Sequence, residues 1–114
     1  MRSIVPTPLF RVGAADLADG QVFRGCNVEN ASLGLTICGE RTAILTAVAA
    51  GCKRLEVVAI SCPDAPPTDD TCHHMPCGAC RQVMAEFGSD NTRILVAGIG
   101  EFRLGELLKN PFRL

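Results

Sequence analysis

The sequence contains no tryptophan and no tyrosine, so its five phenylalanines are the whole aromatic complement. Any aromatic wall around a ligand must therefore be built from phenylalanine. An excess of charge of either sign is also missing, with 11 lysines and arginines against 12 aspartates and glutamates. Surfaces that bind nucleic acid carry a basic excess or basic runs, so no nucleic-acid partner is expected. No apolar stretch approaches the roughly 18 residues a membrane span needs, and no membrane partner is expected either. The opening residues Met1 to Pro8 are too short and too broken by proline to read as a secretory signal. An even cysteine count is lacking too. Seven thiols exclude a framework in which every cysteine is paired within the chain. They point instead to metal binding or thiol chemistry in a reducing, cytoplasmic compartment.

What is present is a chain of 114 residues, 47% of them hydrophobic. That length suits one compact domain over residues 1–114, with no repeat, low-complexity tract or long linker to divide it. Phe10 to Leu17 and Val22 to Val28 flank Asp19-Gly20, a dipeptide that suits a tight turn, and predict a β-hairpin. A Gly/Asn/Ser-rich connection follows. From about Cys38 to Ala50 the pattern predicts a helix closed by Gly51, apolar nearly all round and so buried in a core or a subunit interface. The β-branched run Leu55 to Ile60 predicts a central strand, and the proline- and aspartate-rich stretch Ser61 to Pro76 a surface loop. A second helix is expected from about Cys77 to Phe87, with Val83, Met84 and Phe87 as its apolar stripe. Arg93 to Ala97 reads as another buried strand, and Leu104 to Leu108 as a short last helix. The order β-β-α-β-α-β-(α) implies an α/β layered domain with a mixed sheet.

Two cysteine clusters stand at predicted helix starts, Cys38-Gly39-Glu40-Arg41 and Pro76-Cys77-Gly78-Ala79-Cys80-Arg81. Cys77 and Cys80, three apart, share one face of the first turn. A helix N-terminus is partly positive and favours thiolate over thiol. If the two helix starts meet, Cys38, Cys77 and Cys80 offer three soft ligands to Zn²⁺, the number that leaves a catalytic site open for water. Glu40 lies beside this set without being needed as a ligand, where a carboxylate can move protons between water and a leaving group. Three thiolates on one Zn²⁺ sum to a net −1, which weakens the metal as a Lewis acid. A cation donating to the sulfurs restores it, and Arg41 is favoured over Arg81 for that task because it follows the glutamate directly.

The combination Cys-x-Glu with Pro-Cys-x-x-Cys is the pattern of zinc-dependent nucleobase deaminases, in the version with three cysteines. With Phe10 to Ala15, Gly25 to Ala31, Cys38 to Thr42, Pro76 to Gln82 and Glu106 to Leu108 followed by Phe112, the chain resembles the small, homotetrameric-type cytidine deaminases. The resemblance spans Phe10 to Phe112. It implies a three-layer α/β/α sandwich with a mixed sheet, Zn²⁺ as cofactor, and a free cytosine nucleoside as substrate. Hydrolytic deamination at C4 would follow, with Glu40 protonating N3 and then the departing ammonia. It further implies that Asn27 and Glu29 hold ribose hydroxyls, that Phe10 faces the pyrimidine, and that backbone amides near Ala31 and Gly39 read the base. Phe112 would reach a neighbouring subunit's site in a homotetramer or homodimer.

Three features depart from the family. Only nine residues precede Phe10 where the family carries an N-terminal helix, so a domain lacking that helix is expected. Leu33 stands where tyrosine is common, and a fifth strand is expected to be very short or absent. These departures leave a modified cytosine nucleoside or a cytosine-bearing antibiotic open as the substrate. Blander readings compete at each residue. The three cysteines could form a closed structural site, for which Cys72, His73 and His74 are the fourth-ligand candidates, although those three read as loop residues. Cys26, Cys52 and Cys62 read as small core residues. Glu40 alone would be a dipole-complementing surface charge, and Asn27 and Glu29 turn residues. Two other classes also stand: a thiol–disulfide oxidoreductase built on Cys77 and Cys80, and an inactive zinc-stabilised nucleoside-binding module.

Overall fold

The computed structural model describes residues 12–17, 20–52, 54–63 and 74–114. Five strands form one sheet: β1 (Val12–Leu17), β2 (Val22–Cys26), β3 (Leu55–Ser61), β4 (Arg93–Val96) and β5 (Gly100–Arg103). Their order across the sheet is β2-β1-β3-β4-β5. β1 runs antiparallel to both β2 and β3, β3 and β4 are parallel, and β5 returns antiparallel to β4. The sheet is mixed, as the sequence implies. The parallel pair needs a long crossover, and α2 (Gly78–Phe87) lies on it. The other helices are α1 (Gly39–Ala49), between β2 and β3, and α3 (Leu104–Leu107) after β5.

Alternation decides which side chains meet. Val58 and Ile60 of β3 and Ile94 and Val96 of β4 are fully covered, whereas Val57, Ala59 and Leu95 between them are only half-buried. The covered set joins Ala43, Ile44 and Ala47 of α1, Met84 and Ala85 of α2, and Leu104 of α3 in one core. Among the described residues, then, α1, α2 and α3 share a single core on one face of the sheet. The segment before Val12, where the expected loss of a helix falls, and Phe10 lie outside the described residues.

Local departures from the expected elements have local causes. Asp16 pairs with Val57 but Leu17 pairs with Leu55, so Glu56 is an extra residue in β3. That bulge turns Leu55 into the core and leaves Glu56 exposed. Strand β2 ends at Cys26 rather than Val28, because Val28 leaves the sheet to exchange two backbone hydrogen bonds with Ile37, at 2.8 and 2.9 Å. β5 is short but present. Gly98 and Gly100 adopt positive φ, +80° and +151°, and so reverse the chain within a few residues of Val96. Cys26 and Cys62 are buried, in keeping with small core residues. Cys52 is only half-buried, with its thiol 3.7 Å from Gln21 Oε1.

Candidate functional site

Both cysteine clusters fall at helix starts as expected, with Cys38 and Cys77 each one residue before the first helical residue. Cys38 and Cys77 are N-caps with extended backbone, at φ/ψ of −73°/157° and −72°/169°. Their carbonyls accept the first helical bonds, from the Thr42 amide at 3.1 Å and the Arg81 amide at 3.0 Å. A cysteine is a poor cap by side chain, and neither makes a side-chain capping bond. Their thiols are therefore free to point away from their own helices and toward each other.

They converge. The Cys38 and Cys77 sulfurs are 3.7 Å apart and the Cys77 and Cys80 sulfurs 3.4 Å apart. All three lie within 4.8 Å of one another. A tetrahedral zinc with bonds of about 2.3 Å would hold its sulfurs about 3.8 Å apart. The three-thiol cluster thus has the size and the soft donor set that zinc requires. His74 is half-buried and does not join the group, while Cys72 and His73 lie outside the described residues.

Glu40, in the first turn of α1, is completely buried, and its carboxylate is in hydrogen-bonding contact with the Cys80 thiol. A first-turn glutamate is ordinarily a surface residue complementing the helix dipole, so total burial beside three thiols marks this one as different. Arg41 donates from Nη2 to the Cys38 sulfur at 3.7 Å and to the Thr36 carbonyl at 3.3 Å. Arg81 does something else. It donates to the carbonyls of Pro76 at 2.9 Å and Leu107 at 2.7 Å, and so ties the start of α2 to the end of α3.

Cys38 and Cys80 act on each other's protonation in opposite directions. Hydrogen bonding from Cys80 is the main force drawing Cys38 down to about 6; burial opposes it, and the Arg41 guanidinium adds to it. Cys80 is pushed up, first by its pairing with Cys38, then by burial and by the Glu40 charge. One negative charge settles on Cys38, and a second in the same space is disfavoured without a cation. For Arg41, burial works to lower its pKa, but the neighbouring sulfurs outweigh it and the net direction is upward. The cluster is an electrostatic site for a positive ion.

The Val28–Ile37 bridge lays the segment after β2 alongside the approach to Cys38. Asn27 is buried there, and its Nδ2 donates to Glu29 Oε1 at 2.9 Å, so amide and carboxylate are held as a pair. Gly39 is buried and Ala31 exposed. Phe112 sits on the C-terminal segment and is 72% exposed.

Sequence reasoning missed the part played by Gly25. A Cβ there would lie 2.5 Å from the Ala43 nitrogen and 2.7 Å from the Gly39 carbonyl oxygen. Only glycine lets β2 press against the first turn of α1, just before the chain reaches Asn27 and Glu29. The signal was a glycine inside a strand pattern, which marks close approach of another backbone.

Comparison with known proteins agrees with this arrangement. The family described as "Cytidine and deoxycytidylate deaminase zinc-binding region" matches residues 1–96. A cytidine deaminase from Halalkalibacterium halodurans is 43% identical over 113 residues, covering 95% of this chain and 81% of that protein. One from Mycobacterium tuberculosis is 41% identical over 111 residues, covering 96% and 78%. Among solved structures, the cytidine deaminase of Burkholderia pseudomallei superposes with a TM-score of 0.81 at 35% identity, covering 97% of this chain and 87% of that one.

Proposed function

The chain belongs to the family of zinc-dependent cytidine and deoxycytidylate deaminases, and from that premise we propose that it hydrolyses free cytidine and 2′-deoxycytidine to uridine and 2′-deoxyuridine with release of ammonia. The observation that carries the reading is the solvent-sealed Glu40 in contact with a cluster of three thiols. Structural zinc sites are closed by four protein ligands, and among the described residues this cluster has three.

In this reading Cys38, Cys77 and Cys80 hold Zn²⁺, whose Lewis acidity makes a water nucleophilic at neutral pH. Glu40 takes the proton that water gives up as its oxygen bonds to C4, and delivers it to N3 of the ring. It then carries the second proton of that water to the exocyclic nitrogen as the C4–N bond breaks. One water enters, its oxygen stays on the base as the C4 carbonyl, and ammonia leaves. Glu40 suits both transfers because burial removes competing solvent and holds the carboxylate in one place. Arg41 offsets part of the thiolate charge through Cys38. Asn27 and Glu29, already bonded to each other, present acceptors to the ribose hydroxyls. Backbone amides near Ala31 and Gly39 face the polar edge of the base, with Phe10 against its ring.

We assign a homotetramer, or at least a homodimer, in which Phe112 enters a neighbouring subunit's site. Its exposed ring supports this, as do Leu33 and Leu35, 82% and 63% exposed on the turn before Ile37, and Leu45 on the outer side of α1. Such side chains are costly to leave in water. A reducing, cytoplasmic setting fits three thiols that must stay unoxidised. No described helix is long and apolar enough to cross a membrane.

The redox alternative accounts for Cys77 and Cys80 at 3.4 Å but gives no task to a third thiol or to Glu40. The deciding experiment is an ammonia-release screen of zinc-loaded protein over cytidine, 2′-deoxycytidine, cytosine and modified cytosine nucleosides, repeated with Glu40→Gln. Release from cytidine and 2′-deoxycytidine is expected, and the variant should lose about 10²–10⁴-fold in kcat while keeping one zinc per chain. Ammonia from none of these compounds overturns the reading. Ammonia only from a modified nucleoside moves the substrate and keeps the chemistry.

A further inference from the structure

The segment after α3 raises a physical question. Its one aromatic residue, Phe112, is 72% exposed and adds nothing to the core of its own chain. Yet the backbone around that ring is fixed by several devices. Asn110 takes left-handed backbone at φ +53°, a conformation asparagine tolerates better than most residues. Pro111 follows, its ring fixing the next φ. Gln82, on the polar side of α2, donates from Nε2 to the Phe112 carbonyl at 2.9 Å. Arg113 donates to the Ala85 carbonyl at 3.1 Å and pairs with Asp90 at 3.6 Å. A tail with no role would have no reason to be held on both sides of an exposed ring.

We propose that Gln82 is a positioning residue for Phe112: by holding the Phe112 carbonyl on α2 it aims the ring out of its own subunit and into the neighbour's substrate site. This rests on the reading that Phe112 completes that site. Gln82 delivers the ring from the helix that also presents Cys77 and Cys80. Ordering the segment before assembly removes an entropy cost from substrate binding that a loose tail would carry. In the reading on which this rests, the Phe112 ring lines the substrate site and takes no part in the proton transfers, so Gln82 acts on KM and not on kcat.

The test compares zinc-loaded Gln82→Ala, Gln82→Glu, Phe112→Ala and the Gln82→Ala/Phe112→Ala double variant with the unaltered enzyme. The readouts are kcat and KM for cytidine, zinc content and sedimentation. Glutamate keeps the shape of glutamine but its carboxylate has no N–H to donate. Both Gln82 variants are expected to raise KM about two- to ten-fold, the worth of one hydrogen bond, with kcat, zinc and assembly retained. The double variant should match Phe112→Ala alone. A normal KM for the Gln82 variants beside a raised KM for Phe112→Ala overturns this inference and leaves the reading beneath it standing. So do additive effects in the double variant, or loss of zinc or assembly in both Gln82 variants. A normal KM for Phe112→Ala overturns both.

Discussion

The starts of α1 and α2 are built alike and used differently. Each opens on a cysteine cap with extended backbone, and each places an arginine within its first turn or so, Arg41 and Arg81. At α1 the start is sealed. Gly39 and Glu40 are buried, β2 presses on the turn through Gly25, and Arg41 reaches the Cys38 sulfur. At α2 the start is open, with Cys77, Gly78 and Ala79 exposed, and Arg81 binds carbonyl oxygens rather than sulfur. The same local device therefore carries a buried carboxylate and a guanidinium on sulfur at one helix, and an exposed turn with a tether to backbone carbonyls at the other. The difference comes from what packs on each start, not from the starts themselves.

Exchanging the arginines' contributions is the strongest way to break that comparison. Arg41→Gln removes a donor to a thiolate, and the expected loss is about 10–100-fold in kcat/KM or in zinc affinity. Arg81→Gln removes two bonds to backbone carbonyls, each worth about 1 kcal/mol. It should lower the melting temperature while kcat/KM falls less than for Arg41→Gln. Steady-state kinetics, zinc titration and thermal melts on both variants decide the matter. Equal kinetic losses would mean that the two helix starts are not specialised in this way.

A smaller effect separates the two glycines. Gly25→Ala forces a Cβ into the backbone of α1 and is expected to cost about 1–3 kcal/mol, or about 5–15 °C in melting temperature. Because Asn27 and Glu29 follow directly, KM for the nucleoside should rise as well. Gly78 has open space where its Cβ would be. Gly78→Ala should be neutral or slightly stabilising, since alanine is the better helix former by about 1 kcal/mol. Thermal melts and KM measurements on both variants check the contrast. A Gly25→Ala protein as stable as the parent would show that the sealed start of α1 has slack.

How much of this was legible in the sequence depends on where the information sits. That the three thiols meet with Glu40 beside them was readable because short spacings put them at helix starts, which composition marks. Helices α1 and α2 and the buried strands β3 and β4 were readable from their apolar patterns and the turn residues that bound them. The bulge at Glu56, the Val28–Ile37 bridge and the existence of β5 were not, because each is a choice of pairing partner made across the fold. The division of labour between Arg41 and Arg81 was half legible: nearness to Glu40 favoured Arg41, but only the Leu107 carbonyl explains what Arg81 does instead. Gln82 was legible as the end of a motif and a polar position on its helix, but its task was not, since its partner lies 30 residues away.

The finest test of the comparison is chemical, on the thiols themselves in protein stripped of metal. Cys38, at the sealed start, is drawn down to about 6, whereas Cys80, inside the first turn of α2, is pushed up. A lowered thiol pKa favours the anion, so Cys38 is thiolate above about pH 6 and loses that charge as the pH falls through this value. Alkylation follows the thiolate. With iodoacetamide and peptide mapping by mass spectrometry, Cys38 labelling should rise through about pH 6 and level off near neutrality. Cys80 should remain unlabelled well into alkaline solution while the fold persists. Arg41→Gln should move the Cys38 profile upward without removing its gap to Cys80, because the Cys80 hydrogen bond is the larger influence and Arg41 the smaller. If the arginine variant instead brings the two profiles together, the charge at the cluster is set by Arg41 alone, and the pairing of the two helix starts contributes nothing to it.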